Sequence, residues 1–405
     1  MKIQKKSINI LISYWLLIIF FLISLIIIVG GLTRLTDSGL SITKWELFSG
    51  ILPPLSSDKW DIYFKSYKEI PEFKLQNYSM NLLEFKFIFW WEYIHRLLGR
   101  LIGLIFIIPL VYFTLKKGIK KNYKYYFIFL LICFQGFIGW FMVKSGLTDK
   151  TDVSHYRLSL HLGIAFIILC LTLWNYFKIS KINTSGKKIP FYLPNLFFFI
   201  IFVQIIIGAF VSGMDAGQIY NTWPSMNGNY FPDNSSVKEL FKINVLNEPS
   251  LMQFIHRNIA YLTIIIFCFI IYFVFKNKNF YYLKKTVFLV FFALLTQVFL
   301  GILTILYGAQ ILIASLHQIG SIFVYLTLFS SMMVSYLRAL GERFDVKSDI
   351  GLAQRPERIV ILSIGTMIGH AIHLSVPITL AIVASLSFLT AIQRLVHLYQ
   401  HTRSP

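Results

Sequence analysis

Apolar residues are gathered in long blocks that alternate with polar, lysine-containing segments. A helix of roughly 20 apolar residues crosses a hydrocarbon core of about 30 Å. Blocks of that length lie near residues 8–30, 86–115, 124–143, 159–177, 190–212, 251–274, 284–304 and 313–336. The pattern predicts eight membrane-spanning helices, the first of them a retained helix rather than a cleaved signal peptide.

Composition and charge placement narrow the class further. The chain has 405 residues, 56% of them hydrophobic, and a mean hydropathy of +0.66, which exceeds what a soluble fold can bury. Its net charge of +20 is carried by short lysine clusters between the apolar blocks, near 5–6, 116–124, 178–188 and 276–285. Since lysine-rich loops face the cytoplasm, we expect an integral membrane protein with a cytoplasmic N-terminus. Membrane lipid surrounds such a chain, and no nucleic-acid partner is expected.

Part of the first half recurs in the second. EYIHRLLGR, which begins at Glu92, returns as QFIHRNIAY, which begins at Gln253. Three loop residues recur at one constant offset: Asp37, Gly39 and Trp45 as Asp215, Gly217 and Trp223. Because four spans per half is an even number, both halves have the same orientation, and the repeat is parallel. The predicted fold is an all-α integral membrane protein with two tandem four-helix bundles, 1–180 and 181–336.

The repeat extends to small and amide residues inside the spans. Gln135 and Gly139 are matched by Gln297 and Gly301, and a similar Gln204–Gly208 pair lies in the fifth span. Small residues at this spacing let membrane helices approach closely. We interpret these glycines as packing residues.

Four histidines occupy matched positions, two in each half. His95, His161, His256 and His317 lie in the first one to three turns of the second, fourth, sixth and eighth spans. The lysine pattern runs all four of these spans from outside to inside, so the histidines share one depth near the outer face. Two imidazoles from one bundle can hold a haem iron from both sides. A single membrane histidine is more often an interhelical or proton-pathway residue, but four at matched positions favour haem ligation.

The halves differ at one carboxylate. Glu92 lies one turn before His95 on the same helix face, and its counterpart is Gln253. A carboxylate within a membrane span is costly and suggests a functional site, so the first half is expected to carry the chemistry. The alternative is a structural Glu92, paired with Arg96 or Arg100 or placed among lipid headgroups.

Three arginines near the outer helix ends are candidates to bind haem propionates. Arg34, Arg96 and Arg257 can each bind a carboxylate through two parallel hydrogen bonds. Anchoring at the membrane interface is an equally good interpretation for all three.

Several motifs together resemble haem A synthase of the mitochondrial and alphaproteobacterial type. They are GGLTRLTDSGLSITKW, EYIHRLLGR, HLGIAF, GAFVSGMDAGQIYNTWPSMNG, QFIHRN and ASLHQIGS, and the likeness covers about residues 8–330. The resemblance implies oxidation of a methyl group of haem O to the formyl group of haem A, for terminal oxidases. It implies substrate haem in the N-terminal bundle and haem b in the C-terminal bundle. The four family histidines fall on His95, His161, His256 and His317, and the family glutamate falls on Glu92. Haem O synthase and terminal oxidase assembly factors are the implied partners, while the electron donor stays open.

The sequence changes character after about residue 335. Basic residues there are mostly arginine, alanine becomes frequent, and two further spans fit near 359–373 and 378–396. Segment 337–405 is therefore predicted to be a separate two-helix tail. It resembles the C-terminal end of a CDP-alcohol phosphatidyltransferase of the phosphatidylinositol-phosphate synthase kind. The aspartate-rich motif of that family is missing from the sequence, so its activity is not assigned. A natural fusion, an engineered chimera and a misjoined gene all give this pattern.

Other membrane functions use part of the same pattern. A non-catalytic dihaem b cytochrome in quinol electron transfer needs the four histidines but not Glu92. A parallel-repeat transporter is disfavoured, because the chain lacks the paired broken helices expected near a midplane site.

Overall fold

The structure is a computed structural model that describes residues 2–45, 49–148, 150–179, 192–322 and 324, with single positions between 383 and 393. The described helices are α1 (Lys2–Leu35), α2 (Ser57–Tyr67), α3 (Pro71–Leu75), α4 (Leu82–Lys117), α5 (Ile119–Gly146), α6 (His155–Ile179), α7 (Tyr192–Gly213), α8 (Pro249–Lys276), α9 (Lys284–Leu306) and α10 (Ile311–Ile322). Short 3-10 turns lie in the loops, and one isolated bridge joins Met226 to Asn229.

The prediction of an all-α integral membrane protein is confirmed. Six described helices, namely α1, α4, α5, α6, α8 and α9, are long and apolar enough to cross a membrane. Two shorter apolar stretches, Phe199–Gly213 in α7 and Ile311–Ile322 in α10, coincide with the fifth and eighth predicted spans. The two tail spans predicted near 359–373 and 378–396 lie almost wholly outside the described residues.

The chain folds into two compact units. The first consists of Met1–Ile182, Phe198–Leu262 and Gly301–Gln318, and it contains all four candidate histidines. The second consists of Asn183–Phe197, Thr263–Leu300 and Ile319–Pro405. Within the second unit, the Phe197 and Phe267 rings pack with their centroids 5.0 Å apart.

Helices α1, α4, α5 and α6 form a four-helix bundle in the first unit. Each of α1 and α5 contacts both α4 and α6, which closes the ring. Trp15 of α1 lies in its core, where the indole Nε1 donates to the carbonyl of Ile105 at 2.9 Å. The Trp15 ring packs against Phe106, Phe113 and Tyr125, at centroid distances of 4.7, 5.4 and 5.5 Å. Aromatic packing of this kind fixes the far end of the bundle, away from the long loops.

The first long loop (36–81) contains helices α2 and α3, which the apolar pattern did not predict. Trp60, Phe64 and Tyr67 lie on one face of α2 and are buried. They pack against Phe85 and Phe89 of α4 in one hydrophobic cluster. This contact fixes the loop to the helix that carries His95.

The start of α4 is set by a capping box. The Asn81 side chain accepts from the backbone N–H groups of Leu83 and Glu84, at 2.9 and 3.1 Å. In return, Glu84 Oε2 accepts from the Asn81 N–H at 2.8 Å. Because this box satisfies the free donors of the first turn, α4 begins at a defined residue, and the depth of His95 follows from it.

A buried carboxyl in the first long loop predicts pH-dependent stability. Glu72 is 2% exposed, and its Oε1 accepts from the Tyr67 hydroxyl at 3.0 Å and from the Asn77 amide at 3.3 Å. Burial raises the pKa of Glu72 to about 8, from 4.5. Because its pKa is raised, Glu72 holds its proton more tightly in the folded state than in the unfolded state. The protonated carboxyl therefore contributes its full stabilising free energy at acidic pH, and this contribution is lost as the pH rises through the pKa of the folded state.

We therefore expect the free energy of unfolding to fall by a few kcal/mol between about pH 5 and about pH 8. Glu72→Gln, which resembles the protonated carboxyl, removes this part of the pH dependence. Thermal melts of both proteins across this range provide the measurement. Parallel pH profiles for wild type and variant would contradict the assignment.

Candidate functional site

The structure pairs the four candidate histidines within each half. His95 of α4 faces His161 of α6, with ring centroids 6.4 Å apart and an interplanar angle of 69°. His256 of α8 faces His317 of α10, also at 6.4 Å, with an angle of 86°. Both pairs lie near the helix ends from which the long loops emerge. The two halves thus hold imidazole pairs of equal separation.

The separation fits a metal ion bound between two imidazoles. Metal–imidazole bonds are about 2 Å long, so ring centres on opposite sides of one ion lie roughly 6 Å apart. Buried Nδ1 atoms of His161 and His256 have no hydrogen-bond partner. A six-coordinate ion bound by two imidazoles has four positions left, which is the number of nitrogen donors in a porphyrin. The residues present therefore fit a haem iron with two axial histidines.

Glutamines fix the backbone next to two of these histidines. Gln135 Nε2 of α5 donates to the carbonyl of His161 at 2.9 Å, and Gln204 Nε2 of α7 donates to the carbonyl of His256 at 3.0 Å. The Gln204 amide also lies 3.3 Å from Nε2 of His256. The repeated Gln–Gly spacing is the sequence signal for these contacts, although by itself it indicates only helix packing.

Glu92 is buried in a network of polar contacts. It is 2% exposed, and its Oε2 accepts from the Ser41 hydroxyl and the Ile42 N–H, both at 2.7 Å. Its Oε1 accepts from Arg96 Nε and Nη2, at 3.0 and 2.6 Å. The carboxylate thus joins α4 to the first long loop, and the pairing with Arg96 that the sequence left open is present.

Arg96 contacts the first long loop, and Arg257 makes equivalent contacts with the second long loop (214–248). The Arg96 guanidinium donates to the carbonyls of Ile42 and Lys44, at 2.9 and 3.5 Å. The Arg257 guanidinium donates to the carbonyls of Tyr220 and Thr222, at 2.9 and 3.0 Å. These carbonyls lie at matched positions of the repeat. Gln253, the counterpart of Glu92, donates its amide to the Tyr220 carbonyl at 3.1 Å. The second half therefore attaches its loop without a carboxylate.

Arg34 connects the two long loops to each other. Its Nη1 donates to Asp37 at 2.7 Å, and its Nη2 contacts both carboxylate oxygens of Asp215 at 2.9 Å. The two aspartates share a left-handed backbone conformation, with φ values of 47° and 49°. Burial raises the pKa of the Asp37 carboxyl, and the charge of Arg34 opposes that shift.

All three candidate propionate arginines therefore have protein partners already. Arg34 binds aspartates, and Arg96 and Arg257 bind loop carbonyls. These contacts hold the long loops in place, a role that the sequence did not indicate. Binding of propionates by the same arginines stays a prediction, and it requires donors shared between propionate and protein.

Comparison with known proteins places these features in a family. A profile described as cytochrome oxidase assembly protein matches residues 13–329, a range that includes both histidine pairs and ends before the tail. The chain is 51% identical to haem A synthase of Pelagibacter ubique (strain HTCC1062) over 321 residues, which is 78% of this chain and 94% of that protein. It is 46% identical to haem A synthase of Rickettsia bellii (strain RML369-C) over 318 residues, 76% of this chain and 93% of that protein. It is also 41% identical to haem A synthase of Rickettsia felis (strain ATCC VR-1525 / URRWXCal2) over 320 residues, 77% of this chain and 94% of that protein. The chain therefore belongs to the cytochrome oxidase assembly protein family.

Proposed function

We propose that this protein is a haem A synthase, an oxidoreductase that converts the methyl group of haem O into the formyl group of haem A. The observation that carries the proposal is the presence of two imidazole pairs of equal 6.4 Å separation, with a buried carboxylate one turn from only the first pair. Relatives named haem A synthase support the same activity.

The two pairs have different roles in this proposal. His256 and His317 hold haem b as a resident cofactor, and His95 and His161 hold haem O as substrate. When bound, the haem iron supplies the redox chemistry. The protein would supply the four imidazoles as iron ligands and would fix the backbone beside two of them through Gln135 and Gln204.

Glu92 is the proposed catalytic residue. Its Oε2 is held by the Ser41 hydroxyl and the Ile42 N–H, and its Oε1 by Arg96. These contacts from the first long loop and from α4 fix the position of the carboxylate. A fixed carboxylate beside the substrate can hold or transfer a proton as the methyl carbon is oxidised.

The orientation follows from the charge pattern, and the bacterial relatives support the choice of membrane. We place the protein in the bacterial inner membrane with the N-terminus in the cytoplasm and the haem sites towards the outer face. The two bundles correspond to 1–180 and 181–336. A haem O synthase must supply the substrate, and assembly factors of a terminal oxidase receive the product.

A dihaem b cytochrome in quinol electron transfer is the second candidate, because the two histidine pairs have the same geometry. The two proposals are tested in a host that makes haem O but no haem A. Membranes from cells that express the chain are expected to contain haem A, identified by pigment extraction and mass analysis. Haem b alone, at wild-type levels of folded protein, would favour the cytochrome.

The tail after about residue 335 is expected to be dispensable for haem chemistry. The family match ends at residue 329, and 337–405 supplies none of the proposed site residues. Its likeness to the end of a CDP-alcohol phosphatidyltransferase stays a prediction. Truncation after about residue 336 should leave haem b binding and haem O conversion close to wild type. Loss of conversion with haem b retained would show that the tail takes part and that the proposed boundary is wrong.

A further inference from the structure

Each candidate histidine packs against a glycine of the preceding membrane helix. A Cβ atom added to that glycine would lie 2.9–3.0 Å from the imidazole ring in all four cases. The pairs are Gly30 with His95, Gly139 with His161, Gly208 with His256, and Gly301 with His317. We call these four residues the contact glycines.

The contact glycines differ from other helix glycines in what they meet. An added Cβ would meet a Gln318 side chain at Gly31 and an Ile206 side chain at Gly163, but an imidazole ring at each contact glycine. Gly103 of α4 and Gly136 of α5 also lie inside membrane helices, yet a Cβ atom there would meet nothing within 4 Å. Small residues let membrane helices approach closely, but at Gly103 and Gly136 no such approach occurs. Close approach at a glycine is thus shared with some other helix positions, and the feature common to the contact glycines is the imidazole ring that each one meets.

The arrangement divides the chain into four similar helix pairs. In α1 and α4, α5 and α6, α7 and α8, and α9 and α10, the glycine lies near the end of the first helix and the histidine near the start of the second. In three of the four pairs a glutamine precedes the glycine by one turn, at Gln135, Gln204 and Gln297, whereas the first pair has Ile26 there. The unit that repeats is thus one helix pair with one glycine and one histidine.

We propose that the contact glycines are positioning residues that set the place of each axial imidazole, an inference that rests on the proposed function. Without a Cβ atom, the glycine backbone lets the imidazole lie directly against the neighbouring helix. At Gly30 the added Cβ would lie 3.0 Å from His95 Nε2 itself, a ring nitrogen that can bind a metal ion. An alanine would force the ring to move by a few tenths of an ångström, and the 6.4 Å pair separation leaves little room for that.

The proposal makes a prediction for each site separately. Gly208→Ala and Gly301→Ala should disturb the haem held by His256 and His317. Gly30→Ala and Gly139→Ala should leave that haem unchanged and disturb only the first pair. Changes in groups that orient metal ligands typically weaken metal binding by roughly 10- to 100-fold, so we expect haem b retention to fall about tenfold in the first two variants.

The test uses purified full-length protein in detergent, with Gly103→Ala and Gly136→Ala as matched controls. Haem-to-protein ratio, the electron paramagnetic resonance signal of low-spin haem and its midpoint potential are measured, together with helical content. Expected are a lost or shifted haem b signal in Gly208→Ala and Gly301→Ala, and an unchanged haem b signal in both controls and in the two first-pair variants. Those first-pair variants also show that an alanine at a contact glycine permits folding.

Two results would overturn the inference, and they are distinguishable. An unchanged haem b signal in both Gly208→Ala and Gly301→Ala would refute the positioning role and leave the proposed function intact. Equal loss of the haem b signal in all four contact-glycine variants would also refute it, because the effect would then be general helix packing. A wild-type protein without any low-spin haem signal would instead overturn the proposed function itself, and this inference with it.

Discussion

Replacing His256 or His317 with alanine is expected to abolish the low-spin bis-imidazole haem signal of the C-terminal half. The two rings lie 6.4 Å apart, so each can supply one axial ligand to the same iron. Removing one of them leaves an iron with a single protein ligand, and the haem becomes high-spin or is lost. Reduced-minus-oxidised optical spectra and electron paramagnetic resonance of the purified variants measure this directly.

His155→Ala is the matched control for this experiment. His155 begins α6, and its Nε2 lies 3.2 Å from the Asn247 side chain, outside both imidazole pairs. We expect the His155→Ala spectrum to equal that of wild type. Retention of an unchanged low-spin signal in both His256→Ala and His317→Ala would rule out ligation by this pair.

Glu92→Gln is expected to stop conversion of haem O while haem b remains bound. Positioned acid–base groups contribute about 10²- to 10⁴-fold to reaction rates, so conversion should fall by at least about a hundredfold. Glutamine keeps the size of the side chain, but it cannot hold or release the proton, and it presents an amide where the carboxylate accepted from Arg96. Mass analysis should show haem O or an alcohol product in place of haem A.

Glu84→Gln provides the same chemical change on the same helix, two turns earlier. Glu84 is exposed and serves the capping box of α4, so its replacement should cost some stability and leave conversion unaffected. A normal yield of haem A from Glu92→Gln would refute the catalytic role and leave Glu92 as the structural partner of Arg96. Loss of haem b together with conversion would point to the same structural role.

The membrane helices could be predicted from sequence because each is an apolar block long enough to cross a bilayer. Helices α2 and α3 could not, because their apolar residues are few and lie among lysines. Trp60, Phe64 and Tyr67 have helical spacing, but so short a pattern does not establish a helix without the packing of α2 on α4. The tertiary contact, rather than local pattern, fixes these elements.

The pairing of histidines followed from the sequence repeat, but their surroundings did not. The repeated Gln–Gly spacing singles out Gly139 in the sequence, but it does not show that Gly139 lies against His161. Gly30 lacks the preceding glutamine, so the Gln–Gly pattern does not identify it. The loop repeat does, because Gly30 and Gly208 are separated by the same number of residues as Asp37 and Asp215. From the sequence alone, Arg34, Arg96 and Arg257 are candidates to bind propionates. The sequence does not show that loop carbonyls and aspartates bind these guanidinium groups in the fold.

The haem content of the purified wild-type protein tests the central claim most directly. The protein is isolated after co-expression with a haem O supply, and its haems are extracted, separated and identified by mass. We predict one haem b per chain, held by His256 and His317, accompanied by haem O or its oxidised products. Two haem b molecules per chain, with neither haem O nor haem A present, would contradict the account and identify the protein as a dihaem cytochrome.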